Sequence, residues 1–269
     1  MKRMINGDEL KQVELDILSG VHEFCQKHDI KYFLAFGTLI GAVRHGGFIP
    51  WDDDIDIVML RDDYERFCRE FVENPPENLK LCSIDTLDSY YLPIAKIIDD
   101  RTVLKETQLD GCEIGVYIDI FPLDSIPDDP KDKAKYFKTL SKYHTLNNLK
   151  KAKQIEAWPK YKQMMLPLIK LLLLPISKRA LIKRLLKAKQ SYSHTNDTEG
   201  VGTFIFGVVG KIPKRRYFDE TVELEFEGRR FCAPAEYHEL LTDWFGDYMQ
   251  LPPEDQRVTH HCFEAWWKE

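Results

Sequence analysis

Residues 52–56 read Asp-Asp-Asp-Ile-Asp, with Trp51 before them and the apolar run Ile57-Val58-Met59-Leu60 after. On a strand, Asp54 and Asp56 point to one face, roughly 6–7 Å apart at Cα, while Ile55 and Ile57 point to the other. Two carboxylates at that spacing repel, and each resists ionising beside the other. A hard divalent cation removes the conflict. Mg²⁺ suits the position, with Mn²⁺ as a second candidate, because it takes oxygen ligands and combines one or two carboxylates with substrate phosphates. Asp119, in Tyr-Ile-Asp-Ile-Phe (117–121), offers a third carboxylate at the centre of an expected strand. Asp54, Asp56 and Asp119 are therefore the expected metal ligands and catalytic groups of a phosphoryl-transfer site. Two plainer readings compete. A solvated cap and turn also carries runs of aspartate, although Trp51 and the apolar run argue against an exposed face. A calcium loop requires a glycine after Asp-x-Asp-x-Asp, and Ile57 stands there instead. Asp52 and Asp53 are expected to cap or orient the loop, with no ligand role required.

Upstream, Gly37 and Thr38 fall where a strand should give way to a helix. Free backbone N–H groups at a helix start hold a phosphate, and a glycine lets the phosphate approach closely. Residues 39–53 separate this turn from Asp54. Arg44 and His45 lie in that interval and are expected to clamp phosphate oxygens. A surface ion pair for Arg44 and loop packing for His45 are the alternatives.

The elements that must hold these groups follow from periodicity. Leu10, Val13, Ile17, Val21 and Phe24 recur at helical spacing and predict a helix over 8–28. A strand at 31–36 should precede a short helix from Thr38 to Val43, then a loop over 44–53 and a strand over 54–60. Asp62-Asp63 start a helix that reaches about Val72. Strands are expected near 80–84, 92–98, 102–104 and 116–121, helices over 131–190, and a further strand around 203–208. Residues 222–234 read as a hairpin turning at Glu227-Gly228, and 235–245 as a helix stopped by Gly246. Pro252-Pro253 predict a loop-like tail. The pattern is that of an α/β or α+β domain with a mixed sheet.

Of the 269 residues, 43% are apolar and 12% aromatic, enough for a sizeable core. The six cysteines are scattered without a Cys-x-x-Cys pair. They read as thiols in a reducing compartment, not as disulfides or a zinc site. No basic, apolar and small-residue leader opens the sequence, and a cytoplasmic location is expected. The net charge of −6 conceals an asymmetry. Residues 131–190 carry 17 Lys and Arg against two acids, a net of +15, whereas the other 209 residues sum to −21. The expected organisation is a catalytic core over 1–130, a basic helical insert over 131–190, and a segment over 191–269 that completes the catalytic domain.

The long motif Phe-Gly-Thr-Leu-Ile-Gly-Ala-Val-Arg-His-Gly-Gly-Phe-Ile-Pro-Trp-Asp-Asp-Asp-Ile-Asp-Ile (36–57) resembles the LicD family, which includes bacterial phosphorylcholine transferases and is related to the fukutin-type transferases. Tyr-Ile-Asp-Ile-Phe-Pro-Leu-Asp (117–124) and the tail from Phe245 to His261 resemble the family's other landmarks. The resemblance implies an α+β, nucleotidyltransferase-like fold: a mixed sheet flanked by helices, here with the basic insert. It assigns phosphate binding to Gly37 and Thr38, and Mg²⁺ to Asp54, Asp56 and Asp119. It implies transfer of a phospho-substituent, phosphocholine first among them, from a CDP-activated donor to a sugar hydroxyl, with CMP leaving. The acceptor class is a cell-surface glycan, such as lipopolysaccharide or teichoic acid, or its lipid-linked precursor. Asp119 would take the proton of the attacking hydroxyl. Arg44 would stabilise the leaving nucleotide phosphate. Arg257, His260 and His261 would close the site or bind the acceptor, unless the tail is simply packed. The zinc cysteines of the mammalian relatives have no counterpart, so no zinc is expected. A nucleotidyltransferase acting on a small acceptor and a non-catalytic glycan- or membrane-binding protein are the alternatives.

The insert contains Met-Met-Leu-Pro-Leu-Ile-Lys-Leu-Leu-Leu-Leu-Pro-Ile (164–176), followed by basic residues up to Lys189. It is too short and too interrupted to span a bilayer, which takes about 20 apolar residues. The mixture of apolar and basic residues over 164–189 suits peripheral contact with an anionic membrane, on the inner face if the protein is cytoplasmic. A core helix with a solvated basic face is the alternative. Nucleic acid is not expected as a partner, since the basic segment lacks interleaved aromatics.

Overall fold

Asn6 opens the first helix, α1 (Gly7–Lys27): its side chain accepts the Glu9 N–H at 2.9 Å, and Asp8 and Glu9 fill the first turn. Acids there complement the helix dipole. The computed structural model describes residues 3–105, 114–151, 164–192, 198–203, 211–258 and 264–269. Along the chain α1 is followed by β1 (Phe33–Leu34), α2 (Phe36–His45), β2 (Asp56–Leu60), α3 (Arg61–Glu73), β3 (Leu79–Cys82), β4 (Ala95–Asp99), β5 (Thr102–Lys105) and β6 (Tyr117–Ile126). The insert supplies α4 (Pro130–Lys151), α5 (Leu166–Leu173) and α6 (Lys178–Lys189). Then come β7 (Gly200–Gly202), β8 (Thr221–Phe226), β9 (Arg229–Pro234), α7 (Tyr237–Phe245) and β10 (Glu264–Trp267).

The fold is α+β. Its main sheet runs β1-β2-β6-β4-β3, and β7 pairs with the far end of β6. β2 and β6 are parallel, in register from Asp56↔Asp119 to Leu60↔Leu123, and the other pairs are antiparallel. The apolar run after the aspartates is explained by this placement. β2 lies inside the sheet, and Ile57, Val58 and Met59 are all fully buried, as expected of a strand covered on both faces. α1 packs across β4 and β6. A second apolar cluster, including Ile126, Tyr136, Leu140, Ile182 and Leu185, joins α4 and α6 to the end of β6.

Three expectations change in detail. The strand expected over 31–36 is only two residues long, because Phe36 already begins α2 with φ of +47°. The strand expected from Asp54 starts at Asp56, although the Asp119 N–H still donates to Ile55 O at 2.9 Å. The tail, expected as loop, ends in β10, which pairs with β5. The hairpin forms as expected, with Glu227 and Gly228 both at positive φ (+51° and +72°), the conformation two-residue hairpin turns require. The strand expected around 203–208 falls largely on residues outside those described.

Candidate active site

Asp56 opens β2, and the first turn of α2 fixes its backbone. The Asp56 N–H donates to the Thr38 hydroxyl at 2.8 Å, and Asp56 O accepts the Ala35 N–H at 3.0 Å. Thr38 is buried. A Cβ at Gly37 would stand 2.3 Å from Asp52 Oδ2, so a larger residue there would have to displace that carboxylate. The Asp52 carboxylate therefore lies over the N-terminus of α2, the position sequence reasoning gives to a phosphate. Phe36 holds its positive φ, a conformation that costs of order 1–3 kcal/mol for a non-glycine residue. It stacks on Trp244 (5.0 Å between centroids) and meets Phe121 edge-on (5.4 Å).

Strand register brings two of the three expected ligands together, Asp54 lying just before the strand. Asp56 on β2 is paired with Asp119 on β6, which is paired with Lys96 on β4. The result is a row of carboxylate, carboxylate and ammonium across three adjacent strands. Lys96 Nζ lies 2.6 Å from Asp119 Oδ1 and 3.4 Å from the centroid of the Tyr117 ring, and only 2% of Lys96 is exposed. Just before β2, the carboxylates of Asp52, Asp53 and Asp54 offer oxygens within 4.8 Å of one another. Burial pushes the Asp56 carboxyl well above the usual carboxylate range, and the charges of Asp54, Asp119 and Asp52 push it further, against the opposing effect of Lys96.

Glu14 adds a sixth carboxyl. It sits on the buried face of α1, 2% exposed, and its Oε2 has no hydrogen-bond partner. Burial raises its pKa well above the usual range, and the charges of Asp54, Asp53 and Asp119 add to the effect. A buried carboxyl oxygen without a partner, among like charges, suits a cation-binding site better than it suits a solvated turn. The donor set is entirely oxygen, as Mg²⁺ prefers. Sequence reasoning missed Glu14 and Lys96. Both had a signal: Glu14 interrupts the apolar stripe of α1, and Lys96 interrupts the apolar segment Pro93-Ile94-Ala95-Lys96-Ile97-Ile98.

Arg44 and His45 belong to the last turn of α2 and not to a loop. Arg44 Nε donates to His45 Nε2 at 2.9 Å, and Arg44 Nη1 donates to Tyr248 O at 2.7 Å, tying α2 to the C-terminal segment. Burial, then the Arg44 charge, lowers the His45 pKa. Arg257 stacks over Trp51 at 5.5 Å, next to the acidic run. His260 and His261 lie outside the described residues. The loop leading to the acids is held by the β8–β9 turn. Glu227 N donates to Gly46 O, and Glu227 Oε1 accepts the Phe48 N–H, both at 2.9 Å. A Cβ on Gly47 would stand 2.1 Å from that same oxygen.

A mixed sheet with a Gly-Thr helix start and carboxylates on adjacent strands defines a nucleotidyltransferase-like domain. A model of the LicD/FKTN/FKRP nucleotidyltransferase domain matches residues 29–180. The lipopolysaccharide cholinephosphotransferase LicD of Haemophilus influenzae is 37% identical over 265 residues, covering 96% of this chain and 97% of that protein. The human ribitol 5-phosphate transferase FKRP is 47% identical over 34 residues, 13% of this chain and 7% of that one. An uncharacterized Rickettsia typhi protein is 47% identical over 51 residues, 19% of this chain and 16% of its own. The chain belongs to the LicD family of phosphotransferases.

Proposed function

We propose that this enzyme transfers phosphocholine from CDP-choline to a sugar hydroxyl of a cell-surface glycan or its lipid-linked precursor. The new bond joins the sugar oxygen to the phosphorus, the bond from that phosphorus to the CMP oxygen breaks, and CMP leaves. The observation that carries this reading is the Asp56–Asp119–Lys96 row beside Asp54, with its lysine buried and its acids half-buried, in a chain that matches a cholinephosphotransferase over almost its full length. Asp54, Asp56 and Asp119 would hold Mg²⁺, which when bound supplies positive charge against the phosphate oxygens of the donor.

The chain's own groups do the rest. Thr38 and Ala35 fix Asp56 through its backbone. Lys96 orients Asp119 by its 2.6 Å contact, and Asp119 accepts the proton of the attacking hydroxyl. The first turn of α2 at Gly37 and Thr38 receives a donor phosphate once the Asp52 carboxylate turns aside. Arg44 stabilises the leaving CMP phosphate, and Arg257 on Trp51 guards the acceptor side. The test is CMP release by the purified chain with Mg²⁺, a glycan acceptor and CDP-choline, CDP-ethanolamine, CDP-ribitol or CDP-glycerol. CMP formed with CDP-choline in preference to the others supports the proposal. Preference for another CDP-linked donor would correct the cargo. Pyrophosphate released from CTP, with no CMP from any CDP-linked donor, would replace the proposal with nucleotidyl transfer.

A further inference from the structure

α5 is apolar apart from Lys170, yet only one side is covered. Leu166 and Leu173 are buried. On the opposite side Leu168, Leu171 and Leu172 are 55%, 60% and 70% exposed. Met164 and Met165 just before the helix, and Leu174 just after it, are 82%, 52% and 67% exposed. A helix that is hydrophobic all round is normally enclosed, and a contiguous exposed apolar patch marks a surface that meets something apolar. At eight residues, about 12 Å long, α5 falls far short of the roughly 30 Å hydrocarbon core of a bilayer. Among the described residues, no helix is long and apolar enough to cross a membrane.

The helices before and after α5 in the chain, α4 and α6, are rich in basic residues. α5 packs against α4, and Lys150 of α4 donates to Leu173 O at 2.7 Å and to Ile176 O, which seats the end of α5. On α4, Lys131, Lys135, Lys138 and Lys142 are exposed and follow one another at intervals of four, three and four residues, a stripe along one face. On α6, Arg179 is engaged by Asp88 at 2.7 Å, Lys183 lies 3.6 Å from Asp85, and Lys178 sits over Tyr91, so these residues fasten the helix to the core. Arg184 and Lys187 are exposed.

We infer that the exposed face of α5 is a docking surface for an anionic lipid membrane, with Leu168, Leu171 and Leu172 seated at the acyl boundary and the exposed basic residues of α4 and α6, among them Arg184 and Lys187, against the headgroups. The charge complementarity selects this occupant: residues 131–190 carry a net +15 on a chain that is otherwise acidic. A short apolar face flanked by basic residues lies in the interface instead of spanning it. The inference rests on the surface alone and does not depend on the donor or acceptor of the reaction.

The test is co-sedimentation of the full chain with phosphatidylcholine vesicles, with and without phosphatidylglycerol. Binding is expected to the anionic vesicles, weakening with salt without vanishing. The triple variant Leu168→Ser, Leu171→Ser, Leu172→Ser should lower the partition coefficient by at least about tenfold at any salt. The double variant Arg184→Gln, Lys187→Gln keeps the apolar face, and should lower it by about tenfold at low salt and negligibly at high salt. This variant changes only exposed residues, so the test survives if the triple variant unfolds. Absence of wild-type binding to anionic vesicles at low salt would overturn the inference. So would equal binding to neutral vesicles, or a solution dimer by light scattering that the triple variant dissolves, which would assign the face to a second copy of the chain.

Discussion

Two sets of charges stand at the two ends of the β2–β6 pair, the second reaching into the start of α3, and they are built oppositely. At the start of the parallel pair, Asp56 faces Asp119 in register. Five residues on, about 16 Å along the strands, Arg61 faces Asp124. There the guanidinium grips the carboxylate with two hydrogen bonds, 2.7 Å from Nε and 2.8 Å from Nη2, and Lys189 of α6 approaches to 3.3 Å. At the first end carboxyls meet carboxyls, and burial and repulsion raise the pKa of Asp56 and of Glu14. At the second, one anion is shared by two cations, so burial, reinforced by the Arg61 charge, lowers the pKa of Lys189 against the pull of Asp124. Burial by itself therefore does not mark chemistry. The sign of the neighbours separates a set of charges that closes on itself from one in which like charges stay crowded together.

The sharpest way to break this contrast is to neutralise one acid at each end. Asp56→Asn should cut turnover by roughly a thousandfold or more, because several kcal/mol of barrier depend on the charge that this carboxylate helps to hold. The same variant without metal should melt no lower than wild type, since a repelled carboxyl is gone. CMP release and thermal melts read the two effects, and near-wild-type turnover would remove Asp56 from the site. Asp124→Asn should do the reverse. It leaves Arg61 and Lys189 buried without their anion and should cost about 3–5 kcal/mol in urea unfolding, with turnover per folded molecule within a few-fold of wild type. A variant as stable as wild type would show that the cluster does not hold the insert.

A smaller effect sharpens the first end. Asp119→Ala should weaken Mg²⁺ binding by at least about tenfold in calorimetry, as loss of a direct carboxylate ligand implies. Unchanged affinity and turnover would place Asp119 outside the site. The smallest effect is in pH. Asp56 and Glu14 have folded pKa values above their unfolded ones, so they hold their protons more tightly when folded. The stability this confers is complete below about pH 4 and is lost as pH rises from there through the folded pKa values. The metal-free chain should therefore lose stability across that rise, and Mg²⁺ should raise the melting temperature more at pH 8 than at pH 5. Glu14→Gln should flatten the slope and raise the metal-free melting temperature at neutral pH by about 2–4 °C, the equivalent of about 1 kcal/mol. A variant with the wild-type pH slope would show that Glu14 does not face the cluster.

The features legible in the sequence were those written in consecutive residues. Asp54, Asp56 and Asp119 announce themselves by charge inside apolar runs, Glu227-Gly228 by turn chemistry, and α1 by its stripe. What escaped depends on pairing between distant segments. Lys96 faces Asp119 only because β4 joins β6 in one register, and β10 becomes a strand only because β5 offers it an edge. The shortness of β1 was hidden for another reason: Phe36 takes a backbone conformation unusual for its type, which its stacking on Trp244 sustains. Asp52 carries only a loop signal in the sequence, and its position over Gly37 appears only once the chain has folded back.

The grip of Glu227 on the loop at Gly46–Phe48 bears on how this protein can be dissected. The family match ends at residue 180, and a fragment cut there would retain all six carboxyls and Lys96. It would lack the hairpin whose tip sets the path of the chain into Trp51 and the aspartates, and also Tyr248, whose carbonyl anchors Arg44. Such a fragment would keep the acids and Lys96 but lose Arg257 and the brace on the loop before the acids. The stretch that the family model matches therefore stops short of the contacts that hold its own loop in place.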